Sequence, residues 1–505
     1  RKLHGRFLHI TDIHPDPYYQ IGSDPSHSCH RGKGDAGRYG APLTSCDVPY
    51  SMIDQMFKWI RDNLKDNIDF VVWTGDNVRH DRDRNYPRTE PFIFAENDKI
   101  AKRFLDIFYD EQHDHIIPVV PTMGNNDVYP HNLMAHGPTL QTGKYLSIWR
   151  PFIPHDQSTV FSLGAYHVNE VIPNKLAVIS LNSLYYFSRN PLIDGCESTK
   201  DPGYHMMKWL TITLTELRRR KMKVWLMGHV PLVSKNTHHD CLRKFAIWQH
   251  EFRDIIVGGL YGHMNIDHFV VHDAEKAYKE LKPDPKRPKS YNYDENVDFD
   301  SMDFLESEDV HILNRDDYMA ALRDDYASLK EPSSESMSRF SISNNSPSII
   351  TTFFPSMRVW EYNIEGLNSE EENDQSVPTS NWDQVNTLNY KDVDLLKKKK
   401  KKRRKPSRDD SYPPYLPPNS PLGPAYSSKE AFSPTRYIQY FSNISKYSSE
   451  DKAYFDIEYA TDESPYNLTD LTVSSWIQMA HKLSLSDKSD SLWAVYLHRA
   501  FVSTG

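Results

Sequence analysis

Five short apolar runs constrain this chain more than anything else in it, because each leads to residues able to hold a cation. Phe7-Leu8-His9-Ile10 runs into Thr11-Asp12-Ile13-His14, and Phe70-Val71-Val72-Trp73 into Thr74-Gly75-Asp76-Asn77. Ile116-Ile117-Pro118-Val119-Val120 leads to Met123-Gly124-Asn125-Asn126-Asp127. Val224-Trp225-Leu226-Met227 ends at Gly228-His229, and the run from Ile255 to Tyr261 ends at Gly262-His263-Met264-Asn265. Runs of this length read as buried strands. In α/β sheets, ligands bind where strand ends open into a crevice lined by loops. Strand alternation predicts that Asp12 and His14 project the same way. The glycines allow backbone to crowd an ion or phosphate where a Cβ would obstruct. A lone Asp-x-His is more often a polar strand end than a metal site. The ordered series, with two carboxylates, three imidazoles and one or two amides, is roughly what two adjacent cations require.

Helical periodicity fills the intervals. Ser51–Asn67 places Met52, Ile53, Met56, Phe57, Ile60 and Leu64 on one face, and Glu96–Tyr109 does the same with Ile100, Phe104, Leu105 and Phe108. These stripes are core packing. With the Lys175–Asn182 strand, the Gly203–Lys221 helix and the Val224 strand, they imply a layered α/β fold with helices outside a central pair of sheets.

Asp-x-His, Gly-Asp, Gly-Asn, Gly-His and Gly-His-x-Asn, in this order, resemble the calcineurin-like metallophosphoesterases. Trp73-Thr74-Gly75-Asp76-Asn77-Val78-Arg79-His80-Asp81 is similar to the acid-sphingomyelinase-like branch, in which a histidine follows the aspartate by four positions. The resemblance covers about residues 5–275, then 346–363 and 433–503. It implies a metallophosphoesterase β-sandwich flanked by helices, with a C-terminal helical segment. It also implies two divalent cations, drawn from Mn, Mg, Co, Zn or Fe, that share a hydroxide for in-line attack at phosphorus. The family pattern assigns Asp12 and His14 to the first metal, Asp76 to a bridge, and Asn125, His229 and His263 to the second.

Two positions depart from that pattern. Asn126 stands where a histidine is expected beside the leaving group. Asn265 replaces a first-metal imidazole with an amide, a harder donor that favours Mg²⁺, Mn²⁺ or Co²⁺ over Zn²⁺. Ester cleavage expels an alkoxide that needs a general acid, whereas a phosphoanhydride expels phosphate, which leaves readily with cationic support. His80 remains as the candidate acid or phosphate-binding group. These departures favour an anhydride, and with them the resemblance implies hydrolysis of internal phosphoanhydride bonds in inorganic polyphosphate. An ester-cleaving sphingomyelinase-like enzyme and a non-catalytic polyphosphate-binding protein are the rival readings.

The net charge of −9 argues against general nucleic-acid affinity. The mean hydropathy of −0.68 implies long solvated segments. The expected organisation is a catalytic domain over 1–275, an acidic, partly disordered insertion over 276–345, and strands completing the catalytic domain over 346–363. A disordered acidic, Lys-rich and Pro-rich insertion (364–432) and a C-terminal helical segment (433–505) follow. The second insertion holds nine consecutive cations, Lys397 to Lys405; Lys397, Lys398, Lys399, Lys400, Arg403 and Arg404 are candidate tethers for a polyanion.

Four cysteines allow three pairings. Cys29–Cys46 and Cys196–Cys241 are expected, because each keeps a loop close to the proposed site. Asn-x-Ser/Thr acceptors occur at Asn344, Asn443 and Asn467. With the cysteines they fit an oxidising secretory route, and the resemblance implies a vacuole-like lumen. Any leader or membrane anchor is expected to lie outside this sequence; oligomeric state is not legible.

Overall fold

The computed structural model describes residues 2–110, 115–281, 315–329, 336–367, 382, 385–386, 412–417, 419–447, 450–486 and 492–504. Twelve strands build two six-stranded sheets. In chain order they are β1 (Arg6–Ile10), β2 (Phe70–Trp73), β3 (Val119–Pro121), β4 (His167–Ile172), β5 (Leu176–Ser180) and β6 (Lys223–Met227). Then come β7 (Ile256–Tyr261), β8 (His268–Asp273), β9 (Phe340–Asn345), β10 (Ser356–Tyr362), β11 (Pro434–Phe441) and β12 (Asp456–Ala460). The first sheet has the order β12-β11-β10-β1-β2-β3, the second β8-β9-β7-β6-β5-β4.

Each sheet has a parallel part: β1, β2 and β3 along one side of the first, and β5, β6, β7 and β9 in the middle of the second. Parallel strands covered on both faces read as unbroken apolar runs, and β2 and β7 are buried throughout. Between the sheets Phe7 stacks on Phe70, with centroids 4.6 Å apart, and meets the edge of Trp225 at 5.6 Å. Trp360 lies parallel to it at 6.0 Å. Truncating so central an aromatic costs about 3–5 kcal/mol. Helices α1 (Tyr50–Asn63) and α2 (Glu90–Phe108) bury their apolar stripes as the periodicity required, and α3 (Pro202–Arg219) and α4 (His239–Glu251) also bury apolar residues. α2 starts earlier than its stripe suggests, because Pro91 in its first turn is preset for a helix start.

The segment boundaries are corrected in two places. β9 lies between β7 and β8, so residues 340–345 belong to the second sheet and not to an insertion. Its serines and asparagines hid it from a reading based on apolar alternation. α5 (Arg315–Ser328), also inside the supposed insertion, buries Met319, Leu322 and Tyr326, and Tyr326 donates to the Phe269 carbonyl at 2.7 Å. The C-terminal segment opens with β11 and β12 before its helices α6 (Val473–Leu485) and α7 (Leu492–Ala500). The acidic stretch 294–309 and Lys397–Lys405 lie outside the described residues.

The structure pairs Cys29 with Cys46 and Cys196 with Cys241, as the loop argument favours. The Asn344 acceptor is corrected: Asn344 is 4% exposed inside an interior strand and offers no access for glycosylation. Asn443 is half-buried in the loop after β11, and Asn467 is exposed. Among the described residues no helix is long and apolar enough to cross a membrane.

Candidate metal centre

The turns after β1, β2, β3, β6 and β7 converge on one spot. Asp12, His14 and Asp76 form one group of potential ligands, and Asp76, His229 and His263 form a second, so the two share Asp76. His14 Nε2 lies 3.6 Å from Asp12 Oδ1 and 3.5 Å from Asp76 Oδ2. His229 Nε2 lies 3.1 Å from Asp76 Oδ2 and 3.0 Å from Asn125 Oδ1. His263 Nδ1 reaches the same amide oxygen at 2.9 Å.

Asp12 and His14 do not converge by strand alternation. β1 ends at Ile10, and both residues turn in the left-handed region, with φ 49° and 41°. Asp76 (φ 57°), His263 (71°) and Asn265 (58°) do likewise. Non-glycine residues in this region cost of order 1–3 kcal/mol where strained, and such positions gather at functional sites. The neighbouring glycines have a more specific role than expected. A Cβ on Gly124 would sit 2.0 Å from Asp76 Oδ1, and one on Gly262 would sit 2.6 Å from Asp12 Oδ2. The ligands themselves occupy the space.

Each half is braced. Asp127 accepts from the backbone amides of Asp76 (2.9 Å), Asn77 (2.8 Å) and Gly124 (2.9 Å). His14 Nδ1 is bonded to the Val78 carbonyl at 2.8 Å and His229 Nδ1 to the Thr74 carbonyl at 2.7 Å, which turns both Nε2 atoms inward. Asp12 Oδ2 accepts from Thr11 Oγ1 and from the His263 amide, while the buried Oδ1 has no hydrogen-bond partner.

Divalent cations fit this donor set. A metal–ligand bond of about 2.1 Å implies edges of about 3.0–3.4 Å between neighbouring ligands, close to the separations above. The charge points the same way. Burial opposes charge on His14, yet Asp12, Asp76 and Asp47 outweigh it and raise the imidazole to about 9. His229 is likewise raised to about 9, burial being outweighed by Asp76 and Asp12. The carboxylates hold protons on imidazoles that should be neutral ligands, and a cation would replace those protons. The orphaned Asp12 Oδ1 is the atom such a cation would satisfy.

Asn126, expected beside the leaving group, is spent elsewhere. Its backbone amide and Nδ2 donate to the two oxygens of Asp76 at 2.8 and 2.9 Å, and its Oδ1 accepts from Arg88 at 2.7 Å. It positions Asp76 instead of facing a leaving group. Asn265 Oδ1 accepts from Ser348 Oγ. That loop bonds the Thr11 and Asp12 carbonyls through Ile349 and Ile350, so Asn265 lies beside the Asp12 turn with one lone pair engaged. His80 stacks on His14, centroids 4.2 Å apart, and its Nδ1 is 2.6 Å from Asp47 Oδ1. Burial, with Arg82, lowers the His80 pKa, whereas the Asp47 carboxyl is held well below the usual range by His80 against the effect of burial.

Asp47, Arg88, Asp127 and His131 escaped the sequence reading. Asp47 follows Cys46 directly, so the disulfide fixes it; Asp127 completes the Gly124 motif. His131 Nε2 meets Asn125 Nδ2 at 3.0 Å. Arg88, 3% exposed, carries no sequence signal.

The calcineurin-like phosphoesterase family pattern matches residues 5–266. A protein of Debaryomyces hansenii named endopolyphosphatase is 41% identical over 549 residues, covering 95% of this chain and 76% of that protein. The Saccharomyces cerevisiae endopolyphosphatase is 38% identical, covering 100% of this chain and 86% of its own length. The Yarrowia lipolytica endopolyphosphatase is 35% identical, covering 100% and 93%.

Proposed function

The chain belongs to the calcineurin-like phosphoesterase family, and from that premise we propose that it is an endopolyphosphatase, cutting internal phosphoanhydride bonds of inorganic polyphosphate. The observation that carries this reading is the pair of ligand groups sharing Asp76, in a chain whose relatives of that name align along almost its full length. Two divalent cations, one held by each group, would supply Lewis acidity to phosphoryl oxygens and would make water nucleophilic near neutral pH.

The protein's part is placement. Asp12, His14, Asp76, Asn125, His229 and His263 would hold the cations, with Asn265 beside the first group. Asn126 keeps the Asp76 carboxylate from rotating, and Asp127 holds the Asp76 backbone amide. Asp47 fixes the His80 ring, so that its Nε2 can bind or protonate a departing phosphate oxygen. No side chain at Asn126 is available as a second acid, which suits a phosphate leaving group better than an alkoxide. The mix of imidazole, carboxylate and amide donors favours Mn²⁺, Co²⁺ or Mg²⁺. The disulfides and the Asn443 and Asn467 acceptors support a vacuole-like lumen reached by the secretory route.

The test is a gel and phosphate-release assay on long-chain polyphosphate and on sphingomyelin, with and without added Mn²⁺ or Co²⁺. Metal-dependent shortening of polyphosphate, far faster than ester cleavage, is expected. Comparable specific activity on both would overturn the anhydride reading, and binding without cleavage would identify a capture protein.

A further inference from the structure

The loops after β5 and β6 brace the second ligand group and then run outward together. Ser183 Oγ, on the first loop, accepts from the amides of His229 at 3.1 Å and Val230 at 2.8 Å. Further out, the Ser188 amide donates to the Asn236 carbonyl at 2.9 Å, and the His238 amide to the Tyr186 carbonyl at 3.0 Å. Between them Phe187 meets the ring of His263 edge-on, with centroids 5.4 Å apart. The residues flanking the Ser188–Asn236 bond are Arg189 and Lys235.

Both cations are half-buried, and among the described residues neither forms a salt bridge. Lys235 Nζ stands 5.7 Å from the centroid of Tyr318, whose hydroxyl is bonded to His268 Nε2 at 2.7 Å. Burial, then the charge of Arg189, lower the Lys235 pKa, with Asp317 opposing them. A cation–π contact is worth about 0.5–1 kcal/mol at a partly exposed site, and Asp317 offsets the repulsion between the two like charges only in part. An arriving polyanion would answer it.

We propose that Arg189 and Lys235 form a phosphate-chain subsite on the His263 side of the metal centre, gripping the part of a linear polyphosphate beyond the scissile bond. This rests on the polyphosphate reading above and deepens it. Internal cleavage requires the chain to extend away from the cations, and this pair holds one arm of it. The His80–Asp47 pair bounds the opposite side, against His14.

The test compares the full-length protein with Arg189→Ala/Lys235→Ala, with the charge-keeping Arg189→Lys/Lys235→Arg, and with Lys58→Glu on the exposed face of α1. Binding of long-chain polyphosphate is measured in EDTA, and hydrolysis is measured with Mn²⁺. The double alanine variant is expected to weaken binding and raise KM about tenfold, with kcat changed less than about twofold and the salt slope flattened by roughly one unit. The charge-keeping variant should recover most of the loss, and Lys58→Glu should show none of it. Unchanged affinity and KM in the double alanine variant would overturn the subsite, as would an equal loss in Lys58→Glu. Arg189- and Lys235-dependent binding by a protein that does not cut polyphosphate would sustain the subsite and overturn the proposed activity. A wild-type protein that neither binds nor cuts polyphosphate would overturn both.

Discussion

The first sheet gives the centre Asp12, His14, Asp76 and Asn125; the second gives His229 and His263. The two contributions differ in charge and in what holds them. Within the first sheet, the Thr11 hydroxyl fixes the Asp12 carboxylate and the Asn126 amides fix that of Asp76, with Asp127 tying the β2 and β3 turns together through their backbone amides. The second-sheet imidazoles lean across the gap: His229 bonds the Thr74 carbonyl, and the His263 amide donates to Asp12. The first sheet therefore supplies both the negative charge and the frame, while the second supplies neutral donors oriented by that frame. Damage to the first should disable both halves, and damage to the second should leave the first standing.

Asp76→Ala breaks that comparison at its centre, since both ligand groups use this residue. Hydrolysis should fall by at least about a thousandfold, and metal measured by mass spectrometry on purified protein should fall with it. Near-normal turnover would remove Asp76 from any bridge. His263→Ala strips only the second group, so a loss nearer a hundredfold is expected, partly restored by excess Mn²⁺. A loss as deep as that of Asp76→Ala, insensitive to metal, would mean that the halves act as a unit. Asp127→Asn touches no cation and should still weaken metal affinity about 10–100-fold by releasing the frame. Unaltered affinity in a metal titration would make the frame argument wrong.

Smaller effects lie outside the two halves. Asp47→Asn should cost several-fold, and more on an alkyl phosphodiester than on polyphosphate, because an anhydride needs the His80 proton least. Equal losses on both substrates would make His80 a phosphate-binding group. The smallest effect belongs to deletion of Lys397–Lys405: higher KM on long chains at low salt, with kcat nearly unchanged. No change in KM or its salt dependence would reduce the run to a spacer.

Most of the candidate centre was legible because its potential ligands follow apolar runs, and buried parallel strands are the easiest strands to see. What escaped was whatever depends on a distant partner. Asp47 matters only because the chain brings His80 back to it, and Arg88 only because Asn126 turns toward it. β9 was missed because Ser341, Ser343, Asn344 and Asn345 are buried through hydrogen bonds and strand pairing, which apolar periodicity does not register. The expected roles of glycine and of strand alternation were right in outcome and wrong in cause: left-handed turns, not a pleat, aim Asp12 and His14.

β11 reaches the first sheet only after the whole 364–432 stretch, yet it pairs on both sides, with β10 from Ser356 to Tyr362 and with β12 from Ile438 to Phe441. The same C-terminal portion closes back through Thr504, whose hydroxyl accepts from the Phe354 amide at 2.7 Å. Covalent continuity through the stretch is therefore not what holds the sheet together. A scission between 387 and 411 would yield two polypeptides, separable on a denaturing gel, that remain one particle with an intact catalytic crevice. Strand pairing, not the peptide link alone, joins the two described portions, and two separately expressed halves should reconstitute the sheet by strand complementation.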